Sequence, residues 1–204
     1  MNSQFKAEGI ILKRRNLGET DRILTVFTHQ RGKITVLAKG VRKITSRRAG
    51  NVELLNRSIL YLHQAKSFFI LTEAQTIDTY PQLKTNLTLS TYAFHIIELV
   101  DKLTAENQEN DMLYEHLVNV LQRLSRNPRQ ILVRAFEAKI LTNQGFESFK
   151  EGLLKKLENL SWDEIEKLKI NEKEALELER VLRYHLERVI EGSLKSRQMF
   201  KKYG

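Results

Sequence analysis

Cysteine is absent from all 204 residues, which excludes a disulfide framework, a Cys-ligated zinc site, an iron–sulfur cluster and any thiol nucleophile. Long apolar runs are absent too. The longest stretch without Asp, Glu, Lys or Arg is residues 85–97, thirteen positions, against the roughly 20 needed to span a bilayer. At the N-terminus the apolar Gly9-Ile10-Ile11-Leu12 is cut by Lys13-Arg14-Arg15, so no signal peptide is expected and the protein is expected to stay in the cytoplasm, without a membrane partner. Proline occurs twice, at Pro81 and Pro128, and no glycine lies between Gly50 and Gly145. A turn-rich segment therefore precedes a helical one, with a boundary near Tyr80-Pro81. This predicts two domains, 1–80 and 81–204.

The usual tools of an enzyme are also missing. There is no Gly-x-x-x-x-Gly-Lys-Ser/Thr loop, no Gly-x-Gly-x-x-Gly and no Gly-x-Ser-x-Gly, so nucleotide hydrolysis and acyl transfer are not expected. The five histidines, His29, His63, His95, His116 and His185, are scattered without ligand-like spacing, and no metal or other cofactor is expected. Glu19 and Asp21 form the one close carboxylate pair in the basic half. They could hold a divalent ion in a nuclease, but in Gly18-Glu19-Thr20-Asp21-Arg22 they read better as turn residues before a strand.

What is present is cationic charge, unevenly placed. Residues 1–80 carry 14 Lys and Arg against 6 Asp and Glu, net +8, while the remainder carries 20 against 19, net +1. Arg31, Lys33, Lys39, Arg42, Lys43, Arg47 and Arg48 follow one another without an acid before Glu53. Such a cluster suits a polyanion. Strands are expected over about 5–15, 21–28, 33–39, 53–63 and 67–77. The third should turn Ile34, Val36 and Ala38 inward and Lys33, Thr35 and Lys39 outward, with His29-Gln30-Arg31-Gly32 as a hairpin before it and Gln64-Ala65-Lys66 as another. Five short antiparallel strands with a long basic loop after the third fit an OB-type barrel, an SH3-like barrel being the alternative. Phe27, Tyr61, Phe68 and Phe69 are candidates for base stacking, at least half of them expected in the core.

The second half reads as five or six helices in a bundle. Leu83, Leu87, Ile96, Ile97, Val100 and Leu103, then Leu113, Leu117, Val120, Leu121 and Leu124, recur at helical spacing. Pro128 is expected to open the next helix with Asn127 as its cap, and Gly145 to end it. Ser161 with Glu164 and Asn171 with Glu174 have capping-box spacing. Lys195, Arg197, Lys201 and Lys202 form a second basic tract, read as a solvated tail with an extension of the binding surface as the alternative. The fold class is thus α+β: a five-stranded barrel followed by a helical bundle.

Several segments resemble the RecO family of bacterial recombination mediators. They are Gly9-Ile10-Ile11-Leu12-Lys13-Arg14-Arg15, Gly18-Glu19-Thr20-Asp21-Arg22-Ile23-Leu24, Phe27-Thr28, Gly32-Lys33-Ile34, Ala38-Lys39-Gly40-Val41-Arg42, Ser46-Arg47, Leu71-Thr72-Glu73-Ala74 and Asp78-Thr79-Tyr80-Pro81-Gln82-Leu83. The resemblance implies an OB barrel joined to a helical domain that binds single- and double-stranded DNA without nucleotide hydrolysis. It further implies annealing of complementary strands and, with RecR, loading of RecA onto DNA coated by single-strand-binding protein, whose acidic C-terminal tail the helical domain would hold. RecF would be a further, indirect partner, and the protein would be nucleoid-associated. Carried over by matched position, Lys39, Arg42 and Arg47 are DNA-binding, with Arg14, Arg15 and Arg22. Charge alone adds Lys43, Arg48, Lys13 and Lys33. The family's cysteine zinc module is not expected, because Leu141-Thr142-Asn143-Gln144-Gly145-Phe146 runs on into Glu147-Ser148-Phe149-Lys150. An RNA-binding OB protein and, less favoured, a metal-dependent nuclease are the competing functions.

Overall fold

A computed structural model of the chain describes residues 4–190; the basic tract at 195–202 lies outside them. The described chain divides into two units. The first comprises the chain through Tyr80 together with Thr104–Tyr114.

In this unit β1 (Gln4–Leu17), β2 (Asp21–Thr28), β3 (Gly32–Ala38), β4 (Arg57–Gln64) and β5 (Phe69–Asp78) close into a barrel of order β1-β2-β3-β5-β4. All pairings are antiparallel except β3 with β5. That order, with its parallel closure, is the OB fold. The period of two in β3 places Ile34, Val36 and Ala38 in the core beside Leu24, Val26, Leu60, Leu62 and Leu71. It leaves Lys33, Thr35 and Leu37 half-buried on the outer side and Lys39 exposed just beyond the strand. Val41 and Val52, from the long loop after β3, join the same core.

The start of the fourth strand differs from the sequence reading. β4 begins at Arg57 rather than 53, because Glu53–Asn56 form a turn whose Leu55 has φ of +68°. The Leu55 N–H donates to the Ile11 carbonyl and the Ile11 N–H to that of Asn56, both at 3.0 Å. β1 answers with a bulge between Ile11 and Lys13, where the extra residue increases the bend of the strand.

The Thr104–Tyr114 segment covers part of the barrel's outer face. Its Asn107 N–H donates to the Lys33 carbonyl at 2.8 Å, and Thr35 Oγ1 donates to Glu106 Oε1 at 3.1 Å. Tyr114 Oη donates to Glu8 Oε1 at 2.9 Å, the oxygen that also accepts from Arg57 Nε at 2.7 Å, and the Tyr114 ring lies against Phe27. Gly32 shows how close the segment comes. Its φ is +62°, and a Cβ there would stand 1.8 Å from the Gln108 carbonyl oxygen. Gly32→Ala is therefore expected to destabilise the barrel unit by about 2 kcal/mol from the backbone conformation and more from the collision, read as a lowered urea midpoint.

The second unit holds α1 (Pro81–Thr85), α2 (Leu87–Leu103) and the chain from Glu115. There follow the remainder of α3 (Asp111–Arg126), then α4 (Gln130–Asn143), α5 (Gly152–Asn159), α6 (Trp162–Lys167) and α7 (Glu172–Val189). Seven helices among the described residues replace the five or six expected. One extra arises at Asn86, whose side chain accepts from the Leu89 N–H and so caps α2, separating it from α1. Pro128 does not open α4. The helix starts at Gln130 with Arg129 as its N-cap, while Asn127 closes α3 through its N–H to the Arg123 carbonyl. A residue before proline is driven out of helical conformation, so the Asn-Pro pair marks an end rather than a start. Gly145 does end α4, at φ of +73°. The Phe146 N–H reaches the Leu141 carbonyl and the Gly145 N–H that of Thr142, a Schellman pair. Both expected capping boxes form.

α4 is the centre of this unit, packing on α2, α5, α6 and α7, and Ile131–Leu141 is buried throughout. Its charged residues are satisfied rather than excluded. Glu137 accepts two bonds from Arg134 and lies 2.7 Å from His95 Nε2. Lys139 Nζ donates to the Glu158 and Leu160 carbonyls at 2.8 Å each, placing a cation on the C-terminal end of α5.

Candidate nucleic-acid interface

The loop of residues 39–56 is an ordered strap across one end of the barrel. Gly40, at φ of +63°, turns the chain out of β3. The Asp21 carboxylate accepts from the Gly40 N–H at 2.7 Å and from the Thr20 hydroxyl at 2.9 Å. These two hydrogen bonds, the backbone one first, hold Asp21 below the usual carboxylate range, with lesser help from Lys39 and Lys43. The Arg42 N–H donates to the Thr20 carbonyl at 2.9 Å, and its guanidinium donates to the Gly18 carbonyl at 3.0 Å. The turn Gly18–Arg22 thus clasps the start of the strap. Asp21 serves it through its hydrogen bonds, and this favours the turn reading of Glu19 and Asp21 over metal chemistry.

The far part of the strap is tied to β5 and β4. Arg48 donates to the Leu71 and Lys39 carbonyls, both at 2.8 Å. Asn51 donates to the Ala74 carbonyl at 2.9 Å, accepts from Thr76 Oγ1 at 2.9 Å, and through its own carbonyl accepts from Ser58 Oγ at 2.6 Å. With Val41 and Val52 in the core, what projects into solvent is the segment between.

The ten cations singled out in the sequence fall into distinct positions. Arg15, Lys39, Lys43 and Arg47 are exposed, and their side chains make no hydrogen bond or ion pair within the described residues. Lys13 and Arg42 are exposed as well. Register relates them: Arg15 pairs with Ile23, which pairs with Leu37, and Lys13 with Thr25, which pairs with Thr35. Lys13 and Arg15 on β1 and Lys39 just past β3 therefore share the outer face of β1–β2–β3, two strand spacings or about 10 Å apart. Lys33 is on that face too but six residues before Lys39, roughly 20 Å along the strand, beside the part covered by Glu106 and Asn107.

Arg14 and Arg22 have the opposite parity, pairing with Leu24 and Ala38 of the core rows. They leave the barrel at its end, where the Glu53 carboxylate takes one bond from each: Oε2 from Arg14, and Oε1 from Arg22 at 3.1 Å. Arg48 is occupied by the carbonyls of the strap.

Among the aromatics, Phe27 and Phe69 are buried, while Phe68 is exposed in the β4–β5 hairpin and Tyr61 is half-buried. Sequence reasoning missed Ile44, which is fully exposed at the strap's tip. The signal was there: one apolar residue between Lys43 and Arg47 with no periodic partner. It also missed Glu53 as a partner of Arg14 and Arg22, because 39 and 31 residues separate them. Among the described residues no three His, Cys, Asp or Glu side chains group to hold a metal, and no helix is long and apolar enough to cross a membrane.

An OB barrel that binds oligonucleotides uses the face of its second and third strands; Lys39 follows β3 at the edge of that face, while Arg15 stands on β1 and the strap is the β3–β4 loop. Comparison with known proteins gives the same lineage. Residues 1–80 match the family model "Recombination protein O N terminal", and residues 84–147 match "Recombination protein O C terminal". The chain is 35% identical over 142 residues to the DNA repair protein RecO of Pelotomaculum thermopropionicum, covering 70% of this chain and 56% of that one. With that of Acetivibrio thermocellus it shares 34% over 154 residues, 74% of this chain and 61% of that one. With that of a Roseiflexus species it shares 33% over 143 residues, 70% and 50%. The chain therefore spans little more than half the length of these relatives. The two matched halves, in the order barrel then helices, make this chain a member of the RecO family.

Proposed function

We propose that the chain is a recombination mediator in DNA repair, acting by binding and annealing DNA without covalent catalysis. The observation that carries this is the strap: an ordered loop, free of acids from Lys39 to Val52, whose base is clasped by Asp21, Arg48 and Asn51 and whose exposed part presents Lys39, Arg42, Lys43 and Arg47 beside Arg15. These cations neutralise the phosphates of two strands at once and lower their repulsion, so that bases find their complements. Arg14, Arg22 and Lys13 border the same surface, and Ile44 and Phe68 are apolar groups available to bases. Family membership supports the further roles: RecR as partner, RecA loaded onto DNA coated with single-strand-binding protein, that protein's acidic tail on the helical unit, RecF acting indirectly, and a place in the cytoplasm on the nucleoid.

The test is annealing of two complementary labelled strands in EDTA without nucleotide. The wild type is expected to accelerate it, and a folded Arg15→Ala/Lys39→Ala/Lys43→Ala/Arg47→Ala variant is expected to lose most of the acceleration. Equal annealing by both proteins would remove the strap from the reading. Absence of annealing by either would remove the mediator.

A further inference from the structure

The carboxylates of the barrel unit are not held alike. Glu8 is fixed by Arg57 together with the Tyr114 hydroxyl, and Asp21 by a backbone N–H and a hydroxyl. Glu53 alone among these three is held solely by guanidinium groups, one oxygen on Arg14 and the other on Arg22. A carboxylate offering two oxygens to two arginines has the donor–acceptor pattern of a phosphodiester in the same place. All three side chains reach solvent, Arg14 at 27%, Arg22 at 22% and Glu53 at 41%. An ion pair so exposed is weak and screened by salt, so a polyanion arriving on the neighbouring Arg15 and Lys39 can displace it. Arg22 also donates from Nε to Asn16 Oδ1 at 3.4 Å, which keeps its guanidinium oriented when Glu53 leaves.

We infer that Arg14 and Arg22 form a phosphate site that Glu53 occupies in the free protein, so that Glu53 is an internal competitor of nucleic acid. The inference rests on the nucleic-acid reading above and deepens it: bound DNA gains two arginines only by expelling Glu53, which lowers affinity and speeds release. A mediator that must hand strands on benefits from such a brake.

The test is oligothymidylate binding by fluorescence anisotropy at a series of salt concentrations. Glu53→Gln keeps the side chain's shape while removing its charge. It is expected to tighten binding about five- to tenfold at 0.1 M salt and to steepen the salt slope by about one unit at most. The same substitution in an Arg14→Ala/Arg22→Ala background is expected to change affinity less than twofold. An equal gain in both backgrounds would mean that Glu53 acts through net charge alone and would overturn the exchange, as would no gain in either. Because these variants could disturb the strap, the wild type supplies a second reading. In arginine-labelled protein the Nε–H resonances of Arg14 and Arg22 are expected to shift as the oligonucleotide is added, and unmoved resonances in a protein that binds would overturn the exchange. A wild type that does not bind at all overturns the nucleic-acid reading itself, a result distinct from binding with Glu53 in place.

Discussion

Alanine at Arg15, Lys39, Lys43 and Arg47 together is expected to lower single-strand affinity several hundredfold at 0.1 M salt. Each phosphate contact on a single strand contributes about −0.7 to the slope of log affinity against log salt, hence about fivefold at that concentration. Four such contacts make about −2.8, so the slope of the variant should be shallower by nearly three. The two readouts have to agree: a large loss of affinity with an unchanged slope would mean that the strap had collapsed rather than lost its contacts. Arg48 and Asp21 are left in place for this reason, since both hold the strap to the barrel through backbone groups. Arg48→Ala alone should instead weaken binding mainly by loosening the strap, accompanied by faster amide exchange in residues 40–50.

Glu137→Gln is expected to be the most damaging conservative change in the helical unit, at about 3–5 kcal/mol, a fall in its melting temperature on the order of 10 °C. Glu137 is 1% exposed. Burial by itself would push its carboxyl up, but Arg134 and the His95 ring hold it down at about 2. Removing the charge leaves Arg134 buried with a weaker partner, Glu179 at 3.5 Å, and such a guanidinium stays charged. The pH dependence follows from the direction of the shift. A carboxyl depressed in the folded state contributes stability above its ordinary value of 4.5, and loses that contribution as pH falls from there toward about 2. Wild type and variant should thus converge in stability in acid and differ most near neutrality, as followed by the thermal midpoint of the helical signal across that range. DNA binding by the barrel unit should change far less than stability.

Much of this molecule was legible in local patterns. The alternation of Ile34, Val36 and Ala38, the glycine at the Gly32 turn, the two capping boxes and the Gly145 helix end each depend on a few consecutive residues, whose periods of 2 and 3.6 leave direct marks. The Asn127-Pro128 pair closes α3 instead of opening α4, because Asn serves helix starts and ends alike and its neighbours decide which. The cationic strap was visible because nothing acidic interrupts it between Arg31 and Arg48. The burial of α4 on all sides was not, since Arg134, Glu137 and Lys139 look like a solvated face until partners from α2, α5 and α7 meet them.

By itself the sequence determined which half carries the barrel, which the helices, and that the basicity belongs to the first; these are sums of local propensity and charge, which need no knowledge of long-range contacts. Tertiary structure decided the roles of individual cations. Parity along β1 and β2 turned Arg15 to the outer face and Arg14 and Arg22 to the barrel's end, and chain closure brought Glu53 to them across 39 and 31 residues. Charge is a property of the residue. Its availability depends on which groups folding leaves beside it, because an ion pair is made by distance in space and not along the chain.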